Sequence, residues 1–304
     1  MKKNILVAGS VNMDIVIEVE RLPMKGETID GKTIRYIPGG KGLNQAIAAS
    51  RLGESVSFVG KVGLDDFGKQ LLNFLKSENL DLSGVTEANI SSGLAQIIVD
   101  RNGNNTIVIL HGSNYEVTPE YIASQKELIE NSSLVISQNE IPLESIDALF
   151  TLSKELGIPT ILNPAPANNK TLKQLKNVDY LVVNEIELSL LAASKIILQD
   201  NDEIVSAAKK LKSLGPKVVV VTLGEKGVVT VSSEGIIKTE GKKVKVVDTT
   251  AAGDCFVGAF ATQINKGKKI IESLEFANQA ASLSVQKWGA SSSLPTLKEM
   301  MIDS

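Results

Sequence analysis

Short apolar runs alternate with helix-periodic segments through the second half of the chain. Leu134–Ser137 is followed by Leu143–Leu156 and then Thr160–Leu162; further on come Tyr180–Val183, Glu185–Leu191, Asp202–Leu214 and Lys217–Thr222. This order predicts βα units on a mostly parallel sheet. After Lys217, Val218-Val219-Val220-Val221 is apolar at successive positions, so helices must cover both its faces and the strand belongs in mid-sheet. The first third has another texture. Asp14–Glu20, Thr33–Ile37, Ala95–Val99 and Thr106–Leu110 read as strands joined by turns, and Asp100-Arg101-Asn102-Gly103-Asn104-Asn105 carries the Asn-Gly signal of a hairpin. These pieces, drawn from about 14–38 and 94–111, predict a small antiparallel sheet inserted in a larger domain, as a lid or as an extension of the main sheet.

A chain of 304 residues with 43% hydrophobic content can bury one large core, and residues 1–304 are expected to form one α/β domain. The net charge of −3, with both signs interspersed, excludes the basic field that nucleic acid or an anionic membrane requires. Cys255 is the only cysteine and His111 the only histidine, so neither an internal disulfide nor a His/Cys zinc site can form, and a reducing cytosol is expected. The apolar run after Lys3 is too short for a signal-peptide core, and no stretch is long enough to span a membrane.

The strongest local chemistry is Asp248-Thr249-Thr250-Ala251-Ala252-Gly253-Asp254, followed by small and apolar residues. A strand over Val244–Val247 is expected to end at Asp248 and a helix to begin near Ala252, so that unpaired backbone N–H groups converge into an anion hole. Asp254 falls in the first helical turn, where the helix dipole is expected to lower its pKa. A second motif, Gly39-Gly40-Lys41-Gly42-Leu43-Asn44-Gln45-Ala46, opens a helix over Asn44–Leu52. It is neither a Walker A loop nor a dinucleotide fingerprint, but its glycines admit close approach of a polyhydroxylated ligand, and Lys41 and Asn44 add donors. Asn12 and Asp14, two apart in an extended segment, point to one side, where they can bond neighbouring hydroxyls or simply close an Asx turn.

Taken with Pro23…Gly26-Glu27-Thr28, Asn163-Pro164-Ala165-Pro166-Ala167 and Asn184-Glu185-Ile186-Glu187, these motifs run in order over nearly the whole chain and resemble the ribokinase-like, phosphofructokinase B-type carbohydrate kinases. The resemblance implies a three-layer αβα domain with a mostly parallel central sheet and a small inserted β-sheet lid. It implies transfer of the γ-phosphoryl group of ATP to the O5 hydroxyl of D-ribose. Deoxyribose, another sugar or a nucleoside remains an alternative substrate, and a non-catalytic sugar-binding regulator is the rival from another class.

The family's roles map onto Asn12, Asp14, Gly40, Lys41, Asn44 and Glu140 for the sugar, Asp254 as catalytic base, and Ala251, Ala252 and Gly253 as the anion-hole amides. Asn184, Thr222, Leu223, Gly224, Glu225, Lys226, Gly227 and Asn278 would meet the nucleotide, with Gly253 at its phosphates. Glu187 would help place Mg²⁺ through water, and Asp248, Thr250, Ser284, Lys287, Gly289 and Ser293 match a potassium site. The family also implies a homodimer formed through the lid sheet. Three positions depart from the pattern or stand apart from it. Ala251 stands where most relatives carry glycine, Cys255 replaces a Thr or Ser and reads as a small buried residue, and Trp288 is expected to pack on the adenine side. His111 is expected to close a strand end.

Overall fold

The computed structural model describes residues 4–193 and 201–302. Thirteen strands are formed among the described residues: β1 Asn4–Ala8, β2 Asn12–Val19, β3 Gly31–Gly39, β4 Val56–Gly63, β5 Asp81–Ala88, β6 Gly93–Val99, β7 Asn105–Leu110, β8 Ser132–Gln138, β9 Thr160–Asn163, β10 Tyr180–Asn184, β11 Val218–Thr222, β12 Val228–Ser232 and β13 Gly235–Thr239. The helices are α1 Lys41–Arg51, α2 Asp66–Ser77, α3 Pro119–Ser124, α4 Lys126–Glu130, α5 Leu143–Glu155, α6 Glu185–Leu191, α7 Asn201–Lys212, α8 Ala252–Asn265, α9 Ile270–Ser284 and α10 Leu297–Ile302.

Nine strands make the central sheet in the order β13-β12-β11-β10-β9-β8-β1-β4-β5. Seven of them are parallel, and the antiparallel β12 and β13 close one edge. Alternation within the strands divides the core into two clusters. Ile5, Val7, Val218 and Val220 join the side built with α1, α8 and α9, while Leu6, Ala8, Val219 and Val221 join the side built with α5, α6 and α7. The valine run of β11 is therefore interior, as its pattern required, because each face packs a helix layer. The result is three layers, with the carboxyl ends of β1, β8, β9, β10 and β11 opening on one side, where ligands of such sheets gather.

The remaining four strands form a separate sheet in the order β3-β2-β6-β7. All four lid segments expected from the sequence are present, and the hairpin turn closes through Asp100 N–H to the Asn104 carbonyl (2.9 Å), with Gly103 at φ 83°. The sheet is mixed rather than antiparallel, since β2 and β6 run parallel. Each leaves the body from a parallel strand of the central sheet, β2 after β1 and β6 after β5, so both enter the lid heading the same way. The expected strand over Val244–Val247 does not form. This stretch is a connector whose Val247 and Asp248 N–H groups both donate to the Val285 carbonyl just past α9. Its alternating Val and Lys fit a strand, but it pairs with no strand among the described residues.

Candidate active site

The chain enters α1 through Gly40, whose φ of 98° favours glycine, and a Cβ there would lie 2.9 Å from the Ser10 carbonyl oxygen. Close approach lets Ser10 serve the helix end: its carbonyl accepts from Leu43 N–H (3.0 Å) and its hydroxyl from Gly42 N–H (3.3 Å). The same hydroxyl donates to Glu140 Oε2 (2.5 Å), which also accepts from Lys41 N–H (3.1 Å). A buried carboxylate thus caps α1 at its positive end. The helix begins three residues earlier than the sequence pattern indicated, because this cap replaces a side chain within the motif. Asn12 begins β2 rather than closing an Asx turn; its Oδ1 accepts from Asn114 Nδ2 (2.7 Å), which leaves its own amide N–H groups as donors.

Asp14, Lys41, Glu140 and Asp254 form one charge cluster. Burial pushes the Asp14 carboxyl up to about 7, reinforced by the charges of Glu140 and Asp254 and opposed by Lys41. Burial works against the Lys41 ammonium, yet Asp254 and Glu140 hold it above the ordinary lysine range. Asn44 Nδ2 donates to Asp254 Oδ2 (3.1 Å), and Gln45 Nε2 donates to Asp254 Oδ1 (2.9 Å). The six expected sugar residues and Asp254 therefore meet in one place.

Asp254 lies in the first turn of α8, and its pKa is raised rather than lowered. Burial of the carboxylate outweighs the opposing pull of Lys41, Gln45 and Asn44. Ahead of it, Ala251 caps the helix in the left-handed region at φ 60°, a conformation costing an L-residue roughly 1–2 kcal/mol. Thr250 N–H and hydroxyl both bond Asp248 Oδ1 (2.9 and 2.6 Å), fixing the turn. The Ala252 N–H is spent on the Thr249 carbonyl (3.2 Å). Gly253 faces open space, so the helix end can admit a ligand close to its backbone.

A cavity of about 230 Å³ opens here, lined by Lys41, Asn163, Asn184, Glu187, Thr222, Thr249 and residues 251–254. Asn184 caps α6 in a reciprocal box with Glu187: the Asn184 N–H donates to Glu187 Oε2 (2.9 Å) and the Glu187 N–H to Asn184 Oδ1 (2.8 Å). Burial raises the Glu187 carboxyl above its ordinary range. Of the remaining nucleotide candidates, Leu223 and Lys226 line a neighbouring cavity of about 590 Å³, and Gly224, Glu225 and Lys226 make an exposed 3₁₀ turn ended by Gly227. Asn278 does not line either cavity; its side chain donates to Thr239 Oγ1 (3.1 Å) and the Glu240 carbonyl (3.4 Å), pinning the start of the 240–247 connector.

The potassium candidates converge only in part through their side chains. Asp248 Oδ2 accepts from Gly289 N–H (3.0 Å), joining the two segments, and burial of this carboxylate is outweighed by bonds from Thr250 and Gly289 that hold its pKa low. The Ser284 and Ser293 hydroxyls are spent on the Ala281 and Ala290 carbonyls, and the Lys287 ammonium pairs with Glu299. What these residues offer a cation is oxygen: the Asp248 carboxylate and backbone carbonyls. Such hard donors suit a potassium ion, and no group of three or more His, Cys, Asp or Glu among the described residues is placed to hold a metal directly.

Two further residues make ring contacts. Trp288, expected on the adenine side, packs against the lid: the Arg35 guanidinium of β3 lies 4.2 Å from its ring centroid. His111 follows β7 as expected and stacks on Tyr115 (4.0 Å). Sequence reasoning missed Gln45, Gln138 and Asn163, whose amides meet beside Asp254. Two of them sat inside quoted motifs, but no local pattern pairs amides from separate elements.

A family model described as pfkB family carbohydrate kinase matches residues 2–297. A ribokinase of Lactococcus lactis is 40% identical over 295 residues, covering 97% of this chain and 94% of the relative. One from Staphylococcus aureus is 36% identical over 303 residues, with 99% of each chain covered. The structure of Arabidopsis thaliana ribokinase complexed with ribose and ATP matches with a TM-score of 0.91 at 35% identity, over 99% of this chain and 98% of that one.

Proposed function

This chain belongs to the pfkB family of carbohydrate kinases, and from that premise we propose that it transfers the γ-phosphoryl group of ATP to the O5 hydroxyl of D-ribose. One observation carries the reading. Asp254 belongs both to the cluster of Asp14, Lys41 and Glu140 and to the lining of the cavity that holds Asn184, Glu187, Thr222 and residues 251–253. A sugar hydroxyl on one side and a terminal phosphate on the other would meet at this carboxylate.

Asp254 orients the attacking hydroxyl and takes its proton as the new P–O bond forms and the bond to ADP breaks. Because the transition state is loose, the hydroxyl loses its proton late, so positioning matters more than basicity. Amides at the α8 N-terminus take up charge on the transferring group. Magnesium, when bound with the nucleotide, would neutralise phosphate charge, and the buried Glu187 carboxylate would hold it through water. Potassium would sit at Asp248 and the 284–293 carbonyls and hold the Thr249–Ala251 turn.

Asp254→Asn should retain ATP and sugar binding while kcat falls by roughly 10²–10⁴-fold. Retention of more than about a tenth of kcat would remove Asp254 from the base role. Among the sugar residues only Lys41 is basic, which speaks against a phosphosugar; ATP consumption across pentoses, hexoses and nucleosides separates ribose from its alternatives. At fixed ionic strength, potassium salts should give faster turnover than sodium or choline salts. Equal rates in all three would mean an absent or idle cation site.

We further propose a homodimer paired through the outer lid face. The unpaired, fully buried Cys255, whose thiol burial pushes up to about 12, and the use of ATP both suit the cytosol. Among the described residues no helix is long and apolar enough to cross a membrane.

A further inference from the structure

From the amide chain behind Asp254 we infer that Gln45 is a positioning residue for phosphoryl transfer, locked by Gln138 and Asn163 so that it always presents a donor to the Asp254 carboxylate. The inference rests on Asp254 acting as the base.

The polarity of the chain is set at one end by a group that can only accept. Asn163 Nδ2 donates to the Val182 backbone carbonyl (3.0 Å), which obliges Asn163 Oδ1 to face Gln45 as an acceptor. Gln45 Nε2 spends its two hydrogens on Asn163 Oδ1 (3.1 Å) and Asp254 Oδ1 (2.9 Å). Gln45 Oε1 then accepts from Gln138 Nε2 (2.6 Å). Turning the Gln45 amide over would set its oxygen against two acceptors and its nitrogen against another donor. Gln138 keeps this arrangement although its own Oε1 finds no hydrogen-bond partner. Both glutamines are 0% exposed, so water cannot substitute for the bond between them.

Asn44 bonds the other oxygen, Oδ2, and lies on the sugar side. Gln45 itself is not among the residues lining the phosphate cavity; its bonds run to Asp254 and Asn163, which do line it, and to Gln138 behind them. Its work is to fix the plane of the carboxylate and to favour the charged form against burial. A neutral amide does this at every pH, beside the charge that Lys41 already supplies.

Gln45→Met keeps the side-chain length and removes both donors. The single-turnover rate should fall about tenfold at neutral pH, and the acid limb of its pH profile should move up by about one unit, as a carboxylate loses a bond to its charged form. Affinities for ATP and ribose should stay within about twofold, since no contact to either is removed. A rate loss with the limb unmoved, or a change confined to ribose affinity, would falsify the inference. Gln138→Met, which leaves Gln45 in place but unlocks it, should move the limb the same way by less, and decides the matter if Gln45→Met does not fold. Asp254→Asn run alongside separates the two failures. If it stays active, the base reading falls and the positioning role with it; if it is inactive while neither glutamine variant moves the limb, positioning alone is overturned.

Discussion

At the scale of single residues the site is a balance between burial and charge, and Asp14 shows what that balance predicts. Its carboxyl sits at about 7 because burial penalises the ionised form and Glu140 and Asp254 add repulsion that Lys41 only partly offsets. The folded chain therefore binds a proton that the unfolded chain releases near 3.8, and that contribution to stability is lost as pH rises towards 7. In its proposed role as a sugar ligand Asp14 would serve best ionised, with all its lone pairs open to hydroxyl donors. Ribose should then bind about tenfold more weakly at pH 6 than at pH 8, and Asp14→Asn should flatten the difference. Calorimetric titrations showing equal affinity at both pH values would exclude this role for Asp14. Ala251 marks the opposite case, a non-glycine residue held at a positive φ, hinted at only by the glycine that most relatives carry there.

At the scale of elements, the lid meets the body through a contact that the sequence did not announce. Arg35 on β3 pairs with Glu18 on β2 (2.8 Å) and stacks on Trp288, which is 47% exposed and flanked by the cation-site candidates Lys287 and Gly289. A half-exposed cation–π contact of this kind is worth about 0.5–1 kcal/mol. Trp288→Ala should therefore raise the sugar KM by about two- to fivefold and leave kcat nearly unchanged, because only lid closure is weakened. Steady-state kinetics with an unaltered KM would show that the contact does not help hold the lid. The lid strands themselves were legible because period-two alternation is a local property, and so were the βα units and the mid-sheet place of β11. Strand partnership was not, since the parallel β2–β6 pair depends on where each strand leaves the central sheet. Val244–Val247 misled for the same reason: its pattern is strand-like, but its backbone bonds go to a helix end. In the site, residues inside contiguous motifs were found, whereas Gln138, brought in by β8 to meet Gln45, belongs to no motif.

At the scale of the whole molecule the lid leaves a surface to be covered. One face, carrying Asp14, Val16, Ile97, Val99 and Ile107, looks onto a cavity of about 450 Å³ shared with residues 246–250 and 288–290. Register puts the alternate residues on the other face in cross-strand rows, Tyr36–Ile15–Gln96–Val108 and Ile34–Ile17–Ile98–Thr106. Within these rows Tyr36 is 52% and Val108 55% exposed, and Phe67 of α2 packs against Tyr36 (ring centroids 5.8 Å apart). A largely apolar, part-exposed sheet face of this kind is suited to a partner, and two-fold pairing of identical lids would cover it. Such pairing would also brace the inner face against the sugar, so assembly and sugar affinity should fail together. Replacing both Ile98 and Val108 with Lys puts two charges into the proposed interface and none into the cavity, and should yield a monomer with a raised KM for ribose and an intact fold. Sedimentation of the unaltered protein as a monomer at micromolar concentration would dismiss the interface while leaving the kinase chemistry at Asp254 untouched.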